Sequence, residues 1–243
     1  PWLFGWDHFG GDDTLENAFD VALHLGTLIG SVVYLRSDVA RYSSAAMGWF
    51  KDRGPLIGDV RVAWLLATTA VPTGILGMVV LAATDDLGDR TWLVAVSLIV
   101  FGVALYLADR HHGSRKVDDL RLRDALLLGT AQGLAFQPGV SRSGVTLTVA
   151  RGMGIEREAA TRLVVLMSLP IIAGAGLVKA PDLVVPTDWW GAFVWGTLAA
   201  AVSGWFAVHW MLRLVARTGF GGFAIYRVGV GVGVLVLLAS SFR

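Results

Sequence analysis

Pro138-Gly139-Val140-Ser141-Arg142-Ser143-Gly144 interrupts an otherwise apolar segment and puts a guanidinium where a membrane chain usually carries leucine. A charged side chain at bilayer depth costs about 2.5–3.5 kcal/mol on insertion scales, and such residues face a cavity, a substrate or an ion path. Pro138 and Gly139 end one helical arm, because proline lacks a backbone donor and glycine eases the turn. Ser141 or Ser143 can cap the next arm. The freed N–H groups of that arm, with its dipole, would face an anion lodged at the break. Arg142 adds a planar fork suited to phosphate, a geometry lysine cannot copy. Thr146 can place a further hydroxyl on the same face. Gly139 and Gly144 belong to the same anion site, whose natural ligand is a phosphate or diphosphate head group with a lipid tail. The plainer alternative is that the serines merely cap a helix and Arg142 pairs with Asp124 or Glu156.

The rest of the chain supplies the bilayer. Of 243 residues, 55% are hydrophobic and 16% charged, with a mean hydropathy of +0.62; soluble domains carry about 25% charged residues. An all-α, polytopic integral membrane protein follows. A net charge of +1 offers no general attraction to nucleic acid. The absence of cysteine excludes disulfides and thiol chemistry. Trp2, Trp6, Trp64, Trp92, Trp189 and Trp190 lie near the ends of apolar runs, as in an interfacial aromatic belt.

Apolar runs long enough to cross about 30 Å of hydrocarbon occur at Ala18 to Leu35, Val62 to Ala83, Thr91 to Ala108, Leu163 to Ala180 and Trp189 to Leu212, with a shorter sixth at Val228 to Phe242. Between the third and fourth lies Ala125 to Ile155, two arms of about 20 Å or less as helix, which favours a re-entrant hairpin. Loop charge tests that choice. Arg36, Arg41, Lys51, Arg53 and Arg61 mark one loop as cytoplasmic, Asp85, Asp86 and Asp89 dominate the next, and Arg110, Arg115, Lys116, Arg121 and Arg123 return the chain to the cytoplasm. Arg151, Arg157 and Arg162 follow the motif, Pro181 to Asp188 is free of Lys and Arg, and Arg213, Arg217 and Arg227 come after the fifth span. A full crossing at the motif would give every later loop the wrong charge; a hairpin makes them agree. Six spans plus one hairpin then divide into an inverted repeat, 1–124 and 125–243, whose first hairpin would precede Pro1. The chain is expected to be an N-terminal truncation.

Other residues carry weaker signals. His24, one turn after Asp20, could carry a proton, lean toward a metal or simply satisfy an interhelical hydrogen bond. His209 reads as structural, and Gln132 and Gln137 as helix-packing donors. Ser141 has no base within sequence reach that would make it a nucleophile. No ligand spacing for a metal appears. Gly229 and Gly233 form a G-x-x-x-G face for close packing within the chain or in a homodimer.

The run Gln132-Gly133-Leu134-Ala135-Phe136-Gln137-Pro138-Gly139-Val140-Ser141-Arg142-Ser143-Gly144-Val145-Thr146 resembles the P-G-x-S-R-S-x-x-T signature of the bacterial undecaprenyl-diphosphate phosphatase family. Phe19-Asp20-Val21-Ala22-Leu23-His24-Leu25-Gly26 and Phe223-Ala224-Ile225-Tyr226-Arg227 are similar to other segments of it. The resemblance implies an inner-membrane hydrolase that removes the terminal phosphate of undecaprenyl diphosphate, recycles the carrier lipid for peptidoglycan synthesis and confers bacitracin resistance. It implies Arg142, Ser141 and Ser143 as catalytic, with Gly139, Gly144, Thr146 and, more weakly, His24 at the substrate. It also implies a divalent cation, Mg2+ or Ca2+, whose ligands lie in a glutamate-rich first signature not found in this sequence, so that the chain as given would hydrolyse poorly. The alternative function is a polyprenyl-phosphate transporter or flippase built on the same frame.

Overall fold

The computed structural model describes residues 13–83, 90–179 and 185–240. Among these the chain is helical throughout: α1 (Asp13–Tyr34), α2 (Arg36–Asp52), α3 (Gly58–Ala83), α4 (Thr91–Asp109), α5 (Leu122–Leu134), α6 (Arg142–Gly152), α7 (Arg157–Lys179), α8 (Trp190–Thr218) and α9 (Gly221–Ala239). Five of them, α3, α4, α7, α8 and α9, are long and apolar enough to cross a membrane; α1 and α2 make a sixth only when taken together across Leu35. The loop expected after the first span is therefore largely the helix α2. The acidic connection around Asp85 to Asp89 lies outside the described residues.

Contacts divide the chain into two compact units, one from residues 1–39 and 168–211, the other from 40–167 and 212–243. In the first, α1 packs on α8 through glycine. A side chain at Gly26 would overlap the Thr197 carbonyl, and one at Gly30 the Ala201 carbonyl. Aromatic contacts extend this seam, with Phe19 edge-on to Phe193 at 5.2 Å and Tyr34 edge-on to His209 at 5.6 Å. His209 is thus a packing residue.

In the second unit α5 and α6 form the hairpin, flanked by α3 and α4, and α9 lies along α4. The arms have 13 and 11 residues, about 20 and 16 Å of helix, too short to cross. The chain also returns to its starting point. Arg115, before the hairpin, pairs in parallel with Ile155, after it: the Arg115 amide donates to Gly154 O at 3.0 Å and the Glu156 amide to Arg115 O at 2.9 Å. Two backbone segments joined this way leave the hairpin on the side where it entered.

The first arm is seated at a proline. Pro72 lies inside α3, where it removes one helix donor. There α5 presents Gly129 and Gly133: a side chain on the first would overlap the Thr69 carbonyl, and on the second would come within 2.7 Å of Leu76. The hydroxyl of Thr73 donates to Gly129 O at 2.8 Å, and Gln132 Nε2 reaches Thr73 Oγ1 at 3.4 Å. The packing G-x-x-x-G of this unit is therefore Gly129 and Gly133. A side chain at Gly229 or Gly233 would meet nothing within 4 Å among the described residues, whereas Gly231 is pressed against the Ala95 carbonyl. Spacing alone could not tell which small residues face a neighbour.

The last span also differs. Val228 was its expected first residue, but α9 starts at Gly221 and encloses Arg227, which is buried. A cation taken as a loop marker sits inside the helix because backbone carbonyls of the hairpin tip receive it.

The closed base predicts topology directly. In this cysteine-free chain, Ser114→Cys and Glu158→Cys, both at exposed positions, should react with an impermeant maleimide from the same face of sealed vesicles. Labelling from opposite faces would contradict the hairpin.

Candidate functional site

The two arms meet at residues 135–141. Gly139 has φ 87° and Ser141 φ 66°, so the turn uses two left-handed residues, one of them not glycine. Such a conformation is costly for a side-chain residue and is kept where the surroundings enforce it. Here the enforcement is visible. A side chain at Gly139 would overlap the Val94 carbonyl of α4 and approach Ser97 Cβ at 3.1 Å. Val140 is buried with Ala131 and Val145. From α9, Arg227 Nη2 donates to Gly139 O at 2.9 Å and to Val140 O at 2.8 Å.

α6 begins immediately after the turn. Ser141 is its N-cap and its Oγ accepts from the Gly144 amide at 3.3 Å, as the sequence suggested for Ser141 or Ser143. Ser141, Arg142 and Ser143 are exposed. Among the described residues the Arg142 guanidinium and the Ser143 hydroxyl have no hydrogen-bond or ion-pair partner. The proposed structural pairings of Arg142 do not form: Asp124 pairs with Arg115, and Glu156 makes no ion pair with it. The motif arginine is left with its donors available.

The other expected site residues take different places. Thr146 is fully buried and its hydroxyl donates to the Arg142 carbonyl, so it braces the first turn of α6 instead of facing a ligand. Gly139 and Gly144 serve by lacking side chains. The first lets the tip press on α4; at the second a Cβ would overlap Arg227 Nη1. Gln137 closes locally on Pro138 O at 3.2 Å. His24, in the other unit, is exposed and its Nδ1 lies 2.8 Å from the Asp20 carbonyl oxygen, a helix-internal contact with the backbone and not with the Asp20 carboxylate.

Arg227 is the residue that loop-charge reasoning missed. The signal was present: it stands two residues after Ile225 within a run that continues apolar on both sides, and an arginine inside a span is a functional signal by itself.

Charge at the base of the hairpin is arranged differently. The Asp109 carboxylate at the end of α4 accepts from Arg151 Nε at 3.0 Å, Arg157 Nε at 2.8 Å and the Phe220 amide at 3.0 Å. One buried acid thereby ties the ends of α4 and α6 to the starts of α7 and α9. Asp124 accepts from Arg115 and from the Arg121 amide. Burial pushes its carboxyl up, but those two donors outweigh burial and hold it below the usual carboxylate range. At the base Arg115, Arg151 and Arg157 have carboxylate partners; the two arginines at the tip have none among the described residues.

A divalent cation has no ligand set here: no group of three or more His, Cys, Asp or Glu among the described residues could hold one.

Fold and tip together define an all-α, multi-pass membrane protein whose helical hairpin ends in an arginine with no protein partner among the described residues. The chain matches the family described as bacitracin resistance protein BacA over residues 2–233 and belongs to it. It is accordingly a multi-pass protein of the bacterial inner membrane. Among curated proteins it is 36% identical over 97% of its length to an undecaprenyl-diphosphatase of Hahella chejuensis, covering 87% of that protein. It is 37% identical over 99% of its length to one from a Nocardioides species, covering 87% of it. A third, from Gemmatimonas aurantiaca, is 40% identical over 99% of this chain and covered to 88%.

The tip geometry predicts a specific sensitivity. Gly139→Ala must adopt a left-handed conformation and displace the Val94 carbonyl, so thermal unfolding in detergent should show a loss of about 1–3 kcal/mol. A variant melting with the parent would contradict the seating of the tip on α4.

Proposed function

We propose that the hairpin tip is the phosphate-holding part of an undecaprenyl-diphosphatase. The chain hydrolyses the anhydride of undecaprenyl diphosphate: water adds to the terminal phosphorus, the bridging P–O bond breaks, and undecaprenyl phosphate and inorganic phosphate leave. The relatives share that activity by name. The observation that carries the reading is Arg142, a motif guanidinium with no protein partner among the described residues, at the N-terminus of a buried helix.

Phosphoryl transfer leaves a protein little covalent work; catalysis comes from positioning and from stabilising charge on the equatorial oxygens. Arg142 is placed to do this with its fork, reaching two oxygens of the terminal phosphoryl group. The Ser141 and Ser143 hydroxyls donate beside it. Ser141 is a hydrogen-bonding residue in this reading, since its Oγ accepts from the Gly144 amide and no described imidazole or carboxylate touches it. Release of phosphate returns the carrier lipid to peptidoglycan synthesis, the basis of bacitracin resistance in this family. The inverted halves 1–124 and 125–243 are part of the same proposal, supported by a hairpin followed by the three spans α7, α8 and α9. The divalent cation is part of it too, and is checked by chelation followed by restoration with Mg2+ or Ca2+.

In reconstituted protein, Arg142→Ala should lower phosphate release from undecaprenyl diphosphate by about 100-fold or more, the scale of losing one oxyanion donor. Arg142→Lys should fall between, keeping charge without the fork. Unchanged release in Arg142→Ala would sink the assignment. Lipid translocation without phosphate release in the parent protein would instead favour the transporter.

A further inference from the structure

Arg227 lies in the second turn of α9, buried, and bridges two consecutive carbonyls of the tip, Gly139 O and Val140 O. It has no carboxylate partner among the described residues, and its Nε is buried without a hydrogen bond. A cation so placed is costly to bury, and the two carbonyls offset only part of that cost.

The consequence lies on the other side of those peptides. A peptide group is planar and trans, so its C=O and N–H point in opposite directions. Drawing the Gly139 and Val140 carbonyls toward Arg227 turns the Val140 and Ser141 amides away from it. The Val140 amide finds Gln137 O at 3.3 Å; the Ser141 amide has no backbone acceptor. α6 starts at the next residue, and the first amides of a helix have no acceptor within it. Ser141 Oγ takes the Gly144 amide. Among the described residues, three consecutive amides at the N-terminus of α6, those of Ser141, Arg142 and Ser143, have no acceptor. The partner-free Arg142 guanidinium extends from the middle of the three.

We propose that Arg227 is the positioning residue of this site. It holds the Gly139 and Val140 carbonyls inward, so that the Ser141 amide turns outward and joins the free first amides of α6, those of Arg142 and Ser143, in receiving the phosphoryl oxygens. This rests on the reading of the tip as the phosphate site. Hydrogen bonding to a cation at the carbonyl end also polarises each peptide and strengthens donation from its N–H end. Gly144 is part of the device, because a side chain there would collide with Arg227 Nη1.

The test compares Arg227→Gln, Arg227→Lys and Arg142→Ala with the parent, each purified in detergent and assayed with undecaprenyl diphosphate. Orthovanadate, a mimic of the five-coordinate phosphoryl group, serves as a second probe. Both Arg227 variants should lose about 10- to 100-fold in kcat, with KM within about threefold of the parent, and vanadate inhibition should weaken by a similar factor. A merely structural role would lower folded yield and melting temperature while leaving kcat per folded molecule and vanadate inhibition at parental values; that result overturns the inference. Failure of both Arg227 variants to fold would overturn it as well, since the residue would then be holding the bundle. If Arg142→Ala loses activity and Arg227→Gln keeps it, this inference falls and the phosphate site stands. If Arg142→Ala is fully active, both fall.

Discussion

Backbone groups that leave a helix at membrane depth must find partners inside the protein, because no water is there to take them. The tip of the α5–α6 hairpin is where this chain meets that constraint, and Arg227 is how it meets it. Two carbonyls freed by the break at Pro138 and Gly139 are received by one guanidinium. Much else at the tip follows from that contact. Gly144 lacks a side chain so that the guanidinium fits, Gly139 lacks one so that the turn can press on α4, and Ser141 is held left-handed as it caps α6.

The two ends of the hairpin use the same residue type for opposite purposes. At the base, Arg115, Arg151 and Arg157 have Asp124 or Asp109 as partners. These ion pairs fasten the hairpin to the end of α4 and the start of α7, and Asp109 also receives the Phe220 amide before α9. At the tip, Arg142 and Arg227 are without acids among the described residues. A paired arginine is part of the scaffold, whereas one left unpaired retains charge for a ligand of opposite sign. The division matches the chemistry of a lipid diphosphate, whose head group must be held at an intramembrane site while its tail stays in hydrocarbon.

Several features were legible in the residue order and others were not, for identifiable reasons. Short arms, a Pro-Gly break and the sign of the flanking loops were enough to read a hairpin entering and leaving on one side, and the Arg115 to Ile155 pairing agrees. The serine cap was legible because capping is local. The role of Thr146 was not, since a hydroxyl one turn into a helix can face a ligand or bond the preceding carbonyl, and only burial distinguishes them. Which glycines pack within the chain was not legible for a similar reason. Gly129-x-x-x-Gly133 and Gly229-x-x-x-Gly233 are equal as spacings; the first faces α3 at Pro72, and the second faces nothing among the described residues. Arg227 was counted with the loops because a charge beside an apolar run looks the same whether it ends the span or lies within it.

By itself, the sequence determined the all-α membrane class and the position of the hairpin, and it suggested the anion chemistry of Ser141, Arg142 and Ser143. All three follow from hydropathy, helix length and side-chain type, which are properties of short segments. Only the tertiary structure decided which arginines are neutralised and which remain available, and which glycines are contacts. Those outcomes depend on what α4 and α9 bring to the tip, with Arg227 standing more than eighty residues from the carbonyls it holds. No local pattern encodes a partner at that separation.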